Sequence, residues 1–420
     1  MLKFEPHQQE VLSLTDTKNR VAYYLDMGLG KTFVGAEKLI QMKAPYNLVI
    51  VQCSKIDDWV EHFQTYYNLP VFNLTEKKQF KRFFELTELV HGVIGVINYE
   101  LAFRRKSLLN LTDFTLMLDE SSMIQNETAK RSKFVLKLNP DNVILLSGTP
   151  TSGKYEKLWS QIQLLGWKIS KKLFWQQYVD VEYIDVNGFP VKTIKGYKNV
   201  DRLKRKLAQH GAVFMKSEEV LELPEQLPQI KIMVNTTKEY RRFMRASIVK
   251  VEDNELVGDT TLTKRLYARQ LCGQYNQAKL EAFQDLMNST EDRLIVFYNF
   301  NEELQRMLSL IEDRPVSIVN GDIKDLAAYN LMDNSITFVQ YQAGAKGLNL
   351  QKANKIIYFT LTQSCEDWMQ SKKRIHRMGQ KKSCFYYYLM CRKSIEEDVL
   401  KALESGRDYT DGLFEKYKGE

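Results

Sequence analysis

The stretch RVAYYLDMGLGKT, residues 20–32, opens as an apolar, aromatic strand, turns through two glycines and runs into a helical pattern, KTFVGAEKLIQMK. Glycines let the backbone turn tightly, so that successive N–H groups point inward at a phosphate. The helix that follows adds the partial positive charge of its N-terminus. A lysine and a threonine at the start of that helix, Lys31 and Thr32, supply what a nucleotide needs next. The Lys31 ammonium can reach the β- and γ-phosphates, and the Thr32 hydroxyl can hold Mg²⁺. Asp26, Met27, Gly28, Leu29 and Gly30 form the loop. The general pattern GxxxxGK[ST] is incomplete, because Leu25 stands at its first glycine.

Working outward, the same strand-then-helix layout recurs. NLVIVQC (47–53), GVIGVINY (92–99), TLMLDE (115–120) and NVILLSG (142–148) follow in the first half. DRLIVFYNF (292–300), PVSIVNG (315–321), SITFVQY (335–341), KIIYFT (355–360) and CFYYYLM (384–390) make a second set. Near-continuous apolar runs separated by helices predict buried parallel strands. Right-handed crossovers then give a doubly wound α/β sheet in each half, with ligands beyond the carboxyl ends of the strands. The region between the sets is rich in Lys, Gln, Leu and Tyr at helical spacing. It also carries EYIDVNGFPVKT, whose Asn187-Gly188 predicts a hairpin turn. Pro224 and Pro228 mark a hinge or brace.

Composition agrees with a multi-domain globular chain. The 420 residues exceed one ordinary core at roughly 150 residues per domain. Apolar residues make up 44% and charged residues 27%, which excludes disorder and fibrous repeats. The five cysteines show no CxxC spacing and read as free thiols in a reducing cytoplasm. The start of the chain lacks a signal-peptide pattern, and no uncharged apolar run reaches the roughly 18 residues of a membrane span. A net charge of +8 is compatible with a polyanion partner without requiring one.

Further chemistry sits at strand ends. The strand TLML delivers Asp119 and Glu120, and paired carboxylates at the end of an apolar strand are costly unless they meet a cation or solvent. Asp119 is placed to bind Mg²⁺, and Glu120 to polarise an attacking water. LLSGTP, 145–150, brings Ser147 and Thr149, hydroxyls that can hydrogen-bond the acidic pair. In the second half, QAGAKGLNL (342–350) follows a strand, and QSKKRIHRMGQKK (370–382) carries Arg374 and Arg377. Three residues apart, these arginines would share one face of a helix, either a solvated basic face or one that can neutralise charge on a γ-phosphate.

The order and wording of these stretches resemble the Swi/Snf-type ATPases of helicase superfamily two. DMGLGKT is similar to motif I, LDES to motif II, LSGTP to motif III, IVFYNF to motif IV, AGAKGLNL to motif V and QSKKRIHRMGQ to motif VI. FEPHQ resembles the glutamine motif, NLVIVQCSKIDDW motif Ia with Trp59, and GVINYE motif Ib. Gln342 departs from the family, standing where a Ser or Thr often touches DNA phosphate, and the Asn-Pro pair before motif VI is missing. Without accessory modules, the chain looks like a compact bacterial or phage-borne member.

The resemblance implies two RecA-like lobes, 1–165 and 291–420, with a mainly helical insert and brace at 166–290. It implies ATP with Mg²⁺ as cofactors, His7 and Gln8 near the base, and Gly347 and Asn349 as further nucleotide contacts. DNA, duplex or branched, is the implied partner, touched by Ser54, Lys55, Asn98, Tyr99 and Lys346. The expected activity is a DNA-dependent ATPase and translocase in replication, recombination or repair, monomeric and cytoplasmic, with proteins of replication or recombination as further partners. A conventional strand-separating helicase on DNA or RNA and an ATP-gated nucleic-acid clamp are the alternatives.

Overall fold

A computed structural model of the chain describes residues 2–85, 92–186, 189–344 and 348–414. The chain divides into two compact units, one up to Val220 together with residues from Asp408 on, the other Leu221–Arg407. The boundary therefore falls inside the region expected as an insert, and each unit is an α/β body with its own sheet.

In the first unit the strands are β1 (Arg20–Leu25), β2 (Tyr46–Val51), β3 (Val71–Asn73), β4 (Val93–Asn98), β5 (Phe114–Asp119), β6 (Asn142–Leu146), the hairpin strands β7 (Val179–Val186) and β8 (Phe189–Tyr197), and β9 (Ala212–Met215). Seven of them form one sheet in the order β3-β4-β2-β5-β6-β1-β9. Every neighbouring pair in it is parallel, so all carboxyl ends lie along one edge. Both faces are covered, which is why these strands read as unbroken apolar runs rather than alternating ones. Ala22, Tyr24, Leu48, Ile50, Leu116, Leu118, Val143 and Leu145 share one buried cluster, taking alternate positions along β1, β2, β5 and β6. At roughly 1.5–3 kcal/mol per fully buried large apolar side chain, this layer is what holds the strand ends in register.

The second unit holds β10 (Ile230–Val234), the hairpin β11 (Ile248–Val251) and β12 (Asn254–Val257), β13 (Leu294–Tyr298), β14 (Val316–Val319), β15 (Lys324–Asp325), β16 (Ile336–Gln340), β17 (Lys355–Tyr358) and β18 (Phe385–Cys391). Its sheet runs β10-β18-β17-β13-β16-β14-β15, parallel except for the last pair. A buried ion pair, Lys279 to Glu396 at 2.5 Å, ties the helix Gln277–Asn288 to the start of the final helix. Glu396 also accepts the Cys391 N–H at 2.8 Å, so it closes the end of β18 as well.

The ten strands expected from apolar runs are all present. The expected hairpin forms as β7–β8, while its turn, Asn187-Gly188, lies outside the described residues. Two strands of the middle region, β9 and β10, join the two sheets instead of belonging to an insert of helices. Among the described residues no helix is long and apolar enough to cross a membrane.

β9 reaches β1 through Gly211, whose φ is +89° and whose carbonyl accepts the Ala22 N–H at 2.9 Å. A Cβ there would stand 2.2 Å from the Arg20 carbonyl oxygen. Gly211→Ala should therefore push β9 off β1 and cost on the order of 1–3 kcal/mol, read as a lower urea midpoint. An unchanged midpoint would show that β9 does not depend on this approach.

Candidate active site

The phosphate loop is built by three neighbours in space. β1 delivers Asp26, whose N–H bonds the Met215 carbonyl at 2.9 Å at the end of β9. The Asp26 carboxylate accepts from the Met27 N–H at 2.8 Å and from the Ser217 hydroxyl at 2.7 Å. Gly28 and Gly30 follow with φ of +87° and +73°. Gly30 then caps the helix Lys31–Gln41, the second helix α2, after α1 (Pro6–Leu14). From α1, His7 Nε2 lies 3.1 Å and Gln8 Nε2 3.3 Å from the Leu29 carbonyl oxygen, so both donate to the loop. A Cβ on Gly30 would meet Gln8 Nε2 at 2.2 Å, so glycine is needed there for contact as well as for dihedral angle. Lys31 Nζ donates to the Leu25 and Asp26 carbonyls at 2.7 and 3.0 Å, within the loop it closes. The glutamine-motif pair thus braces the phosphate loop, a role that the sequence does not display.

The acidic pair sits at the end of β5, one strand beyond β6 from β1. Asp119 Oδ2 accepts the Trp59 indole N–H at 2.8 Å. Burial raises the Asp119 pKa, while the Trp59 bond and the charges of Lys31 and Lys55 pull it back. Glu120 has φ of +56°, a conformation that costs a non-glycine residue on the order of 1–3 kcal/mol. Its side chain is held by the hydroxyls of Ser147, at 2.5 Å, and Ser122, at 2.8 Å, both donating to Oε1. Below the pair, the Tyr99 hydroxyl donates to the Asp119 and Glu120 carbonyls at 3.0 and 3.3 Å. The two carboxylates therefore have different partners, an indole N–H for Asp119 and two serine hydroxyls for Glu120. The donor set of a strand-end carboxylate and the Thr32 hydroxyl, all hard oxygen, fits a Mg²⁺ ion.

Of the two hydroxyls expected to meet the acidic pair, Ser147 does and Thr149 does not. Ser147 Oγ also accepts the Thr149 N–H at 3.1 Å, which joins the acidic strand end to the next strand's exit. Among the described residues nothing hydrogen-bonds Thr149 Oγ1. Gln161 was not singled out from the sequence, yet it is a buried hub. Its Oε1 accepts from Ser121 at 2.8 Å and Tyr24 at 2.9 Å, and its Nε2 donates to the Pro150 carbonyl at 2.7 Å.

Two sequence expectations are corrected. Arg374 and Arg377 do not lie on a helix: the helix Cys365–Lys372 ends before them, with Arg374 in a turn and Arg377 in the bend that follows. They nevertheless point one way, because both Nη1 atoms approach the Leu348 carbonyl, at 3.1 and 3.5 Å. Arg377 Nη1 also bonds Asn349 Oδ1 at 2.5 Å. Arg374 is 4% exposed and burial lowers the Arg377 pKa, so this is not a solvated basic face. His376 bonds the Pro224 carbonyl at 2.8 Å, and Gln380 Nε2 donates to the carbonyls of Gln351, Ala353 and Ile375. The second correction concerns the DNA contacts. Tyr99 is 1% exposed and supports the acidic strand end, and Asn98 is buried with its amide on Glu100, so neither offers a surface. Ser54 is exposed, Lys55 pairs with Asp58 at 2.6 Å, and Lys346 and Gly347 lie outside the described residues.

The SNF2-related domain family matches residues 24–279, more than half of the chain. The chain belongs to that family. The helicase conserved C-terminal domain follows over residues 278–379. The chain is similar to the uncharacterized ATP-dependent helicase YqhH of Bacillus subtilis, 23% identical over 99% of this chain and 79% of the relative. It is also similar to the putative ATP-dependent helicase/translocase YwqA of Bacillus subtilis, 22% identical over 93% of this chain and 46% of the relative. The mouse SWI/SNF-related regulator of chromatin subfamily A member 1 is 23% identical over 90% of this chain, which spans 40% of that relative. Among solved structures, the Sulfolobus solfataricus SWI2/SNF2 ATPase core in complex with dsDNA is 18% identical, with a TM-score of 0.46 over 98% of this chain and 92% of that one.

A hydrogen bond to a charged group contributes about 1.5–3 kcal/mol. If Ser147 orients Glu120 for chemistry, Ser147→Ala should lower hydrolysis of ATP by roughly 10- to 100-fold while nucleotide affinity stays within about twofold. Equal losses in both would assign Ser147 to folding alone.

Proposed function

We propose that this protein is a DNA-dependent ATPase that moves along duplex or branched DNA, in replication, recombination or repair. The observation that carries the reading is the acidic strand end. Two adjacent carboxylates are held apart by different partners, beside a lysine-closed phosphate loop. ATP with Mg²⁺ supplies the phosphoanhydride bond and neutralises charge on its phosphates. Lys31 adds a second positive charge there, and Thr32 and Asp119 hold the metal. Glu120, oriented by Ser147 and Ser122, takes a proton from the attacking water. Arg374 and Arg377, kept together by the Leu348 carbonyl and with Asn349 on Arg377, are the proposed source of positive charge for the transition state. Ser54, Lys55 and Lys346 are the proposed phosphate contacts. His7 and Gln8 keep a proposed place beside the nucleotide through the loop they brace, and Gly347 lies in the same proposed stretch as Asn349.

A second reading, strand separation, has one observation in its favour. Phe189, at the start of β8, is 73% exposed, and Tyr183 and Ile184 on β7 are exposed too. An apolar hairpin tip can act as a wedge where two strands fork.

Hydrolysis measured with and without linear duplex DNA tests the reading. Duplex DNA should raise the rate, and the apparent DNA affinity should fall steeply between low and moderate salt, because phosphate contacts release counterions. A rate indifferent to DNA would overturn it. Triplex displacement with little unwinding of a plain forked duplex is the expected outcome, and vigorous fork unwinding lost on shortening residues 186–190 would favour the wedge.

The arginines should act on the transition state. Arg374→Ala or Arg377→Ala should cut kcat by at least about 10³-fold with a smaller effect on ATP binding, as arginine fingers do elsewhere. Losses under about tenfold for both would leave them as anchors of the Leu348 backbone.

A further inference from the structure

We propose that Trp59 is the positioning residue of the metal-binding carboxylate, fixing Asp119 for the divalent cation through an uncharged hydrogen bond. The inference rests on the nucleotide reading above and adds to it a residue that touches neither phosphate nor metal. Trp59 is 2% exposed on the helix Ile56–Tyr66, and its indole N–H donates to Asp119 Oδ2 at 2.8 Å across 60 residues of sequence. An indole donates and accepts nothing, so it orients one carboxylate oxygen and leaves the charge intact. A lysine or arginine there would orient the oxygen equally well, but its charge would compete with the cation.

The indole is itself fixed by an aromatic stack that leads back to the phosphate loop. Its ring lies 5.5 Å from Phe63 and 5.8 Å, edge-on, from His62. The His62 ring lies 4.8 Å from Phe33, edge-on, in the first turn of α2. Phe33 directly follows Thr32, the other proposed metal ligand. One chain of contacts, Phe33 to His62 to Trp59 to Asp119, therefore connects the two oxygen donors of the proposed metal site. His62 serves as an uncharged spacer: it is buried, burial lowers its pKa, and among the described residues nothing hydrogen-bonds its Nε2. An imidazolium at that place would set a fixed positive charge near the cation.

The test measures binding of a fluorescent ADP to the full chain as Mg²⁺ is varied, with EDTA as the metal-free reference. Trp59→Phe keeps a ring in the stack and removes the N–H. Groups that orient metal ligands typically contribute 10- to 100-fold to metal affinity, so the half-saturating Mg²⁺ concentration should rise about tenfold or more. Binding in EDTA should stay unchanged, and kcat at saturating Mg²⁺ should recover most of its value. Phe63→Leu, which alters a neighbouring ring but keeps the N–H and the Phe33–His62–Trp59 contacts, should leave the Mg²⁺ midpoint in place. Replacement of Trp59 by its benzothienyl isostere, equal in shape and lacking the N–H, gives the answer even if Trp59→Phe misfolds. An unchanged midpoint in that isostere, or an equal loss with Mg²⁺ and with EDTA, would overturn the inference. A wild-type chain whose ADP binding ignores Mg²⁺ would overturn the nucleotide reading itself.

Discussion

An ionised carboxylate at the end of a buried strand is unfavourable until something compensates it, and β5 ends in two. Much of the first unit's architecture answers that demand. Lys31 and Lys55 supply positive charge to Asp119, and Trp59 supplies an uncharged donor. Glu120 is relieved by two serine hydroxyls, one from the next turn and one from the end of β6. Tyr99 holds the backbone of both residues from beneath. The parallel sheet makes this arrangement possible, because it places the exits of β1, β5 and β6 side by side on one edge. Of the two carboxylates only Glu120 sits on a strained dihedral angle, and strain of this kind persists only where the surroundings over-determine it.

The second unit uses the same economy of parts in another way. Its two arginines meet at the Leu348 carbonyl, and Arg377 also bonds the Asn349 side chain. His376 and Gln380 fasten the flanks of the same turn to Pro224, Gln351, Ala353 and Ile375. In the stretch HRMGQ, 376–380, His376 and Gln380 therefore secure the turn on which two guanidinium groups converge.

What was legible in the sequence was whatever depends on neighbours along the chain. The loop at 26–32 announces itself because glycine dihedral angles, a helix start and a lysine are all local. The strands announce themselves because burial on both faces leaves unbroken apolar runs. The remainder depends on contacts that composition cannot show. Ser217 reaches Asp26 across 191 residues, and Gln161 reaches Ser121 across 40. Neither residue type is unusual in its own segment. Arg374 and Arg377 look like one face of a helix because a basic run carries no sign of where the helix stops, whereas the helix ends at Lys372. β9 and β10 do not stand out because Lys216 directly follows AVFM and Lys231 interrupts IKIMV.

The central claim is that two adjacent carboxylates divide metal binding from water activation. Equilibrium binding of radiolabelled ATP to Asp119→Asn and Glu120→Gln, each with Mg²⁺ and with EDTA, tests it most directly. The account predicts that Glu120→Gln retains ATP tightly only with Mg²⁺ and does not turn it over. It predicts that Asp119→Asn binds ATP weakly and with no benefit from Mg²⁺. Identical behaviour of the two variants in either property, or turnover by Glu120→Gln near that of the wild type, would contradict it.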